Sequence, residues 1–313
     1  MTAAGTAAAV GHAGGEAEAP SVAAAKPSFI DTHCHLDAAE FAADRVAVAA
    51  RAAAAGVEQI VVPAVAAGNF AAVAACGENF AAVRVAYGIH PLYVEYADEA
   101  DLRALRERLA RELDGPRPPL AIGEIGLDFY VAGVDVERQT HFFVEQLKIA
   151  RDFALPVLLH VRRAQDAVLA ALRRVGGRGQ TSVLAGGIAH AFNGSRQQAD
   201  AFIDLGFALG FGGAMTWSRA RRIRELAATL PLPAIVLETD SPDMPPEFVG
   251  RGRNEPAHLP RIAATLAELR GMSLDGVAAA TTATAQRVLP RLTPAAAAPA
   301  MANPVPHADS QPR

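Results

Sequence analysis

A chain of 313 residues is long enough for two average domains or for one α/β barrel with tails, and its 51% hydrophobic content supplies a large core. Its 29 Lys and Arg against 33 Asp and Glu leave a net charge of -4, which excludes a bulk basic footprint and makes any grip on a polyanion a local matter. Cys34 and Cys76 are too few for a disulfide framework, and no basic n-region with an apolar h-region precedes the first apolar run. A cytoplasmic protein is expected. The Ala-rich run from Ala42 to Ala75 is interrupted by Asp44, Arg51, Glu58, Gln59 and Asn69, so no membrane contact is expected, and no stable protein partner is implied.

Residues 1–26 are Ala and Gly with scattered Glu, and residues 293–313 are Ala, Pro and polar; both are expected to be disordered tails. The stretch between them, 27–292, is expected to be one catalytic domain. It opens on "PSFIDTH" and continues through "QIVVPA", "VRVAYGIH", "LAIGEIG", "LPVLLH", "GGIAHAF", "FALGFGG" and "AIVLETD", each a short β-branched run that predicts a strand. Helical patterns follow them. In "VERQTHFFVEQLKIARDFA", for example, Phe142, Phe143, Leu147 and Ile149 recur at helical spacing. Eight such units in about 265 residues predict a single (β/α)8 TIM-type barrel, fold class α/β, rather than an open doubly wound sheet. No Gly-x-Gly-x-x-Gly opens a helix after the first strand, which argues against a dinucleotide site.

Successive strand side chains point to opposite faces, so in "THCH" His33 and His35 share a face while Cys34 packs on the other as an inert small hydrophobe. Of nine histidines, His12 and His307 lie in the tails and His141 and His258 in helical patterns. The remaining five, His33, His35, His90, His160 and His190, end strands, as do Glu124 and Asp240. That end of a barrel is where active sites are built. Burying so many ionisable groups together without a compensating ion would be costly. Imidazoles with carboxylates are ligands for zinc, manganese or iron, with magnesium held more weakly, and the set is large enough for two divalent ions. Two cations can polarise a phosphoryl or carbonyl oxygen and deprotonate a shared water, so the predicted reaction class is hydrolysis.

The ordered motifs "FIDTHCHLD", "YGIHPL", "AIGEIGLDFY", "LPVLLHVRRAQD", "IAHAFNGS", "GFGGAMT", "VLETDSPDMPP" and "RNEPAHLP" resemble the TatD family of metal-dependent deoxyribonucleases, within the amidohydrolase-type barrels, over residues 28–290. The resemblance implies a TIM-type barrel with a divalent metal pair that hydrolyses DNA phosphodiester bonds from the 3′ end. Position by position, it implies that His33, His35 and Asp240 hold one metal and His160 with His190 the other. Glu124 would bridge them, and Asp240 would also take the proton of the attacking water, which makes Glu124 and Asp240 the catalytic pair. His90 would bind substrate near its phosphate. Arg162 is a second candidate for phosphate contact, since guanidinium donors match phosphate oxygens. Arg253, Asn254 and Glu255 can do the same or pin loops, and Asp166 can pair with Arg162 on a helix face. Phe129, Tyr130, Phe192 and Trp217 are the aromatic residues near strand ends that could stack on bases. Asp243, Met244 and Pro245 stand where many members carry an aromatic and an apolar residue, so substrate is less constrained than metal. The alternatives are an ester or amide hydrolase acting on a small molecule or an aminoacyl-tRNA, and a non-catalytic metal-binding barrel.

Overall fold

All eight predicted strands form: β1 (Phe29–Asp31), β2 (Val57–Pro63), β3 (Val83–Tyr87), β4 (Ala121–Asp128), β5 (Val157–Arg162), β6 (Gly187–Ala189), β7 (Phe207–Phe211) and β8 (Ile235–Leu237). The computed structural model describes residues 27–177 and 184–292, and the expected tails lie outside the described residues. The strands pair in parallel in chain order, β1 through β8, as a right-handed succession of βα units requires. No ladder joins β8 to β1. The barrel closes instead through single bonds past the strand ends: the Thr32 N–H and hydroxyl both donate to the Leu237 carbonyl, Asp240 N–H donates to His33, and His35 N–H donates to Ser241.

The outer layer is α1 (Arg45–Ala54), α2 (Phe70–Asn79), α3 (Glu99–Glu112), α4 (Val136–Asp152), α5 (Gln165–Gly176), α6 (Arg196–Asp204), α7 (Arg221–Thr229), α8 (Leu259–Arg270) and α9 (Leu274–Val288). Polar side chains start several of them. Asp98, Asp135, Ser195 and Ser273 accept from free N–H groups in the first turns of α3, α4, α6 and α9. In α4, Phe142, Phe143, Leu147 and Ile149 are all buried against the sheet, each stabilising the fold by about 1.5–3 kcal/mol. Among the described residues no helix is long and apolar enough to cross a membrane.

Two apolar clusters divide the core. The larger fills the space between sheet and helices. The smaller lies inside the barrel, with Ile30, Val61, Ala86, Ala121, Leu158, Ile188, Ala208 and Val236 contributed by the eight strands, together with Ala285 and Val288 of α9. Thr282 bonds the Ser28 carbonyl before β1 and Arg287 the Pro233 carbonyl before β8, so α9 stoppers the N-terminal end. The C-terminal end is left open for the site.

Candidate metal centre

Strand alternation delivers part of the site to this mouth. Leu158 on β5 and Ile188 on β6 are interior residues, and His160 and His190, two positions on, share their faces. His90 and Asp240 keep the phase of Ala86 and Val236 in the same way. At Asp240 the chain turns with φ +55, a left-handed conformation that Asp tolerates better than most residues.

β1 and β4 depart from simple alternation. Ile30 lies inside the barrel, yet Cys34, an even number of residues later, packs in the outer cluster. The chain leaves strand geometry after Asp31, short of the predicted strand end, and its phase reverses, so that His33 and His35 face the mouth. In β4, unbroken alternation would send Glu124 outward with Ile122. The ladder to β5 slips between Ile122 and Ile125, Ile125 takes the outer position, and Glu124 turns inward.

Glu124 is the hub. Its Oε2 lies 3.1 Å from His33 Nε2 and 3.6 Å from His35 Nε2. Its Oε1 lies 2.8 Å from His190 Nε2, 2.9 Å from His160 Nδ1 and 3.5 Å from His90 Nε2. Asp240 Oδ1 stands 3.7 and 3.8 Å from the Nε2 atoms of His33 and His35. The rings of His33 and His190 are stacked with centroids 3.9 Å apart. The structure therefore brings together all six predicted ligands and His90.

Cys34 stays apart, fully buried, with Sγ 3.1 Å from Ser241 Oγ. Burial raises its thiol well above the ordinary value, which suits the inert role predicted for it.

Burial alone would raise the Glu124 carboxyl, but His190, His33 and His90 around it hold it well below its ordinary value. It is a fixed anion. His90 is the converse case, pushed down to about 3 by burial and so neutral. Its Nδ1 accepts from the Leu92 N–H at 3.2 Å, which leaves the proton on Nε2 and makes that atom a donor. His160 is set the other way: its Nε2–H donates to Asp128 Oδ2 at 3.0 Å, which leaves the Nδ1 lone pair to accept from His90 Nε2 at 3.0 Å, with Glu124 Oε1 2.9 Å away.

Three supporting carboxylates were missed in the sequence. Asp128 orients His160 and is itself held by the N–H groups of Tyr130 and Val131. Asp31 accepts from the Thr239 N–H and hydroxyl and from the His33 N–H, tying the end of β1 to the end of β8, and burial raises it to about 7. Glu238 lies beside His190, 3.9 Å from Nδ1, with the Ala191 N–H on its Oε1, and burial raises it to about 8. Strand phase from Asp240 points to Glu238, two residues before it, and phase from Glu124 points to Asp128, four residues after it, since Ile125 and Leu127 between them face outward.

The sequence profile of the family described as TatD related DNase matches residues 30–290. The chain belongs to the TatD family. The Escherichia coli K12 protein named "Uncharacterized metal-dependent hydrolase YjjV" is 42% identical over 252 residues, covering 80% of this chain and 94% of its own length. The crystal structure of YjjV matches with a TM-score of 0.78 at 40% identity, over 84% of this chain and 98% of that one. An Erwinia billingiae protein named "3'-5' ssDNA/RNA exonuclease TatD" is 33% identical over 255 residues, covering 78% of this chain and 92% of its own length. This TatD-family chain is a metal-dependent hydrolase on a (β/α)8 barrel.

The donor set fits divalent cations on its own chemistry. The groups His33/His35/Asp240, His33/Glu124/His190 and His90/Glu124/His160 each hold ligand atoms within 4.8 Å of one another. All are nitrogen and carboxylate oxygen, as zinc and manganese sites require. The protonated Nε2 of His90 sets it apart from the other donors.

At the rim of this TatD-family site, the "RNEP" residues act as braces. Arg253 bonds Asp44 at 2.7 Å, Glu255 pairs with Arg51 at 2.6 Å, and buried Asn254 donates to the Thr239 and Asp243 carbonyls. They fasten the loop after β8 to the segment around the start of α1. Asp166 does not pair with Arg162; it accepts from Gln198 Nε2 at 2.9 Å. Arg162 instead lies 3.9 Å from Asp128 Oδ2 and stacks on Tyr130. Of the aromatic candidates, Phe192 is core and Phe129 packs against it, whereas Tyr130 is exposed and Trp217 is half-buried with its Nε1 donating to Pro245. A cavity of about 80 Å³ beside Asp240, lined by Asn193, Phe211, Glu238 and Met244, opens off the site.

Proposed function

We propose that this chain is a two-metal phosphodiesterase that removes nucleotides from the 3′ end of single-stranded DNA. One observation carries the reading: Glu124 presents one oxygen to His33 and His35 and the other to His160 and His190, the arrangement of a carboxylate that bridges two cations. His33, His35 and Asp240 would hold one ion, His160 and His190 the other. When bound, the ions would supply Lewis acidity to a phosphoryl oxygen and acidify the attacking water.

The chain's own residues do the rest. Glu124, held ionised, fixes the spacing of the two donor sets. Asp240, partly open to the mouth, takes the proton of the attacking water. Neutral His90 donates its Nε2–H to a phosphate oxygen, as its accepting Nδ1 dictates. Arg162 contributes its guanidinium to a phosphate of the substrate chain. The relative from Erwinia billingiae supports the choice of bond and polarity through its name. A second reading, an ester or amide hydrolase on a small molecule or an aminoacyl-tRNA, draws on the small cavity at Met244, which would suit a compact group.

A substrate panel under matched manganese concentrations tests the choice. Single-stranded DNA labelled at its 5′ end should give a shortening ladder that a chelator abolishes. Cleavage of simple esters or aminoacyl-tRNA with no ladder on DNA would overturn the nuclease reading.

A further inference from the structure

Next to the metal centre, two consecutive arginines converge on one tyrosine. The guanidinium carbon of Arg162 lies 3.9 Å from the Tyr130 ring centroid and that of Arg163 lies 4.7 Å from it. Consecutive residues at the end of a strand ordinarily point to opposite faces. Arg163 escapes this because its φ is +53, a left-handed conformation unusual for a non-glycine side chain and typical of strained positions at functional sites. The turn brings both cations over the same exposed ring.

The pair is short of negative charge. Among the described residues, Arg163 has no carboxylate within ion-pairing distance, and Arg162 has only Asp128, at 3.9 Å. Two guanidinium groups on one aromatic ring repel each other, and an anion bridging them would relieve that repulsion while accepting several of their donors. Half of Tyr130 and half of the Arg162 side chain are open to solvent, so an extended ligand can reach them. The link to the chemistry is short: Asp128 Oδ2 touches His160 Nε2 at 3.0 Å on one side and faces Arg162 on the other.

We infer that Arg162 and Arg163, supported on Tyr130, form a phosphate-binding cleft that holds the phosphate neighbouring the one being cut. The inference rests on the nuclease reading above and deepens it, because only a substrate with more than one phosphate can fill both positions. Tyr130 is then a platform for guanidinium groups rather than for a base. The cleft also accounts for how a chain of net charge -4 grips a polyanion. Arg163 is a specificity residue here: it selects polynucleotides over single diesters without touching the reacting atoms.

The test compares a 5′-labelled single-stranded oligonucleotide with bis(p-nitrophenyl) phosphate, which has one phosphate only, using the manganese-loaded enzyme. Arg163→Gly removes the guanidinium and keeps the backbone conformation, since glycine accepts positive φ freely. It should raise KM for the oligonucleotide about tenfold with little change in kcat, and flatten the slope of log kcat/KM against log salt by about 0.7, one single-strand phosphate contact. The ratio of kcat/KM for oligonucleotide over small diester should fall about tenfold, and Arg163→Lys should recover only part of it, because ammonium keeps the charge but not the stacked plane. Arg106→Ala, which removes a cation of α3 paired with Asp152 of α4, is the charge-matched control and should leave KM and salt slope near wild type. Wild-type cleavage of the oligonucleotide with unaltered KM and salt slope in Arg163→Gly overturns the cleft and leaves the nuclease reading standing. A wild-type enzyme that hydrolyses the small diester and leaves every oligonucleotide intact overturns both.

Discussion

Replacing Glu124 with Gln tests the bridging geometry with little change in shape. The carboxylate offers two equivalent anionic oxygens, one 3.1 Å from His33 Nε2 and the other 2.8 Å from His190 Nε2. The amide offers one carbonyl oxygen and one NH2, which cannot ligate a cation. One donor set therefore loses its oxygen and the other keeps a neutral one. An ion present at about a hundredfold over its Kd stabilises the fold by about 2.7 kcal/mol. A domain of this size shifts by roughly 2–4 °C per kcal/mol, so each ion is worth about 5–10 °C of Tm. Elemental analysis should find about two ions per wild-type chain and one or none in Glu124→Gln, with the metal-dependent rise in Tm at least halved. Turnover of single-stranded DNA should fall by at least about a thousandfold, equivalent to ~4 kcal/mol at 1.36 kcal/mol per factor of ten. A variant that keeps two ions and turnover within tenfold would refute the bridge.

Asp128→Asn should weaken metal binding by about 10–100-fold by releasing the His160 ring, with activity recovered at high manganese; an unchanged metal titration would remove its orienting role. Gly210→Ala should lower stability by about 2–4 kcal/mol, because the added Cβ collides with the Glu238 carboxyl, which is buried and cannot swing out. Thermal unfolding measures it, and a loss of Tm within 1–2 °C, or about half a kcal/mol, would mean that the site relaxes freely. Metal binding should weaken as pH falls, because against burial, which lowers them, the Glu124 carboxylate raises the metal-free His35 and His190 imidazoles to about 9 and about 10, so protons compete with the metal; added metal should move the midpoint of activity to lower pH. A midpoint indifferent to metal concentration would assign the acid limb to another group.

The barrel was legible in the sequence because each of its strands is a compact apolar run and each is followed by a helical period. His90, His160, His190 and Asp240 were legible for a related reason, since they keep the phase of interior residues on their own strands. His33 and His35 were read correctly as a pair opposed to Cys34, although the predicted strand ran too far. Strand phase counted from Ile30 would have turned them outward. That Arg253, Asn254 and Glu255 pin loops was one of the two readings given for them; which partners they take, Asp44, Arg51 and Thr239, and that Asp166 bonds Gln198 rather than Arg162, were beyond local reading because the fold brings those residues together. Asp128 and Glu238 were overlooked because each sits beside a more conspicuous carboxylate in its own motif.

Residue types, order and local periodicity therefore determined the eight βα units, the family, and the supply of imidazoles and carboxylates at the strand ends. Tertiary structure decided where those groups point. The slip of β4 against β5 turns Glu124 into the mouth, and the break after Asp31 does the same for His33 and His35. Both depend on the register of one strand against its neighbour, a long-range pairing that no window of the chain contains. The convergence of Arg162 and Arg163 on Tyr130 is of the same kind, since it needs a left-handed turn at the end of β5 and the adjacent end of β4 to supply the ring.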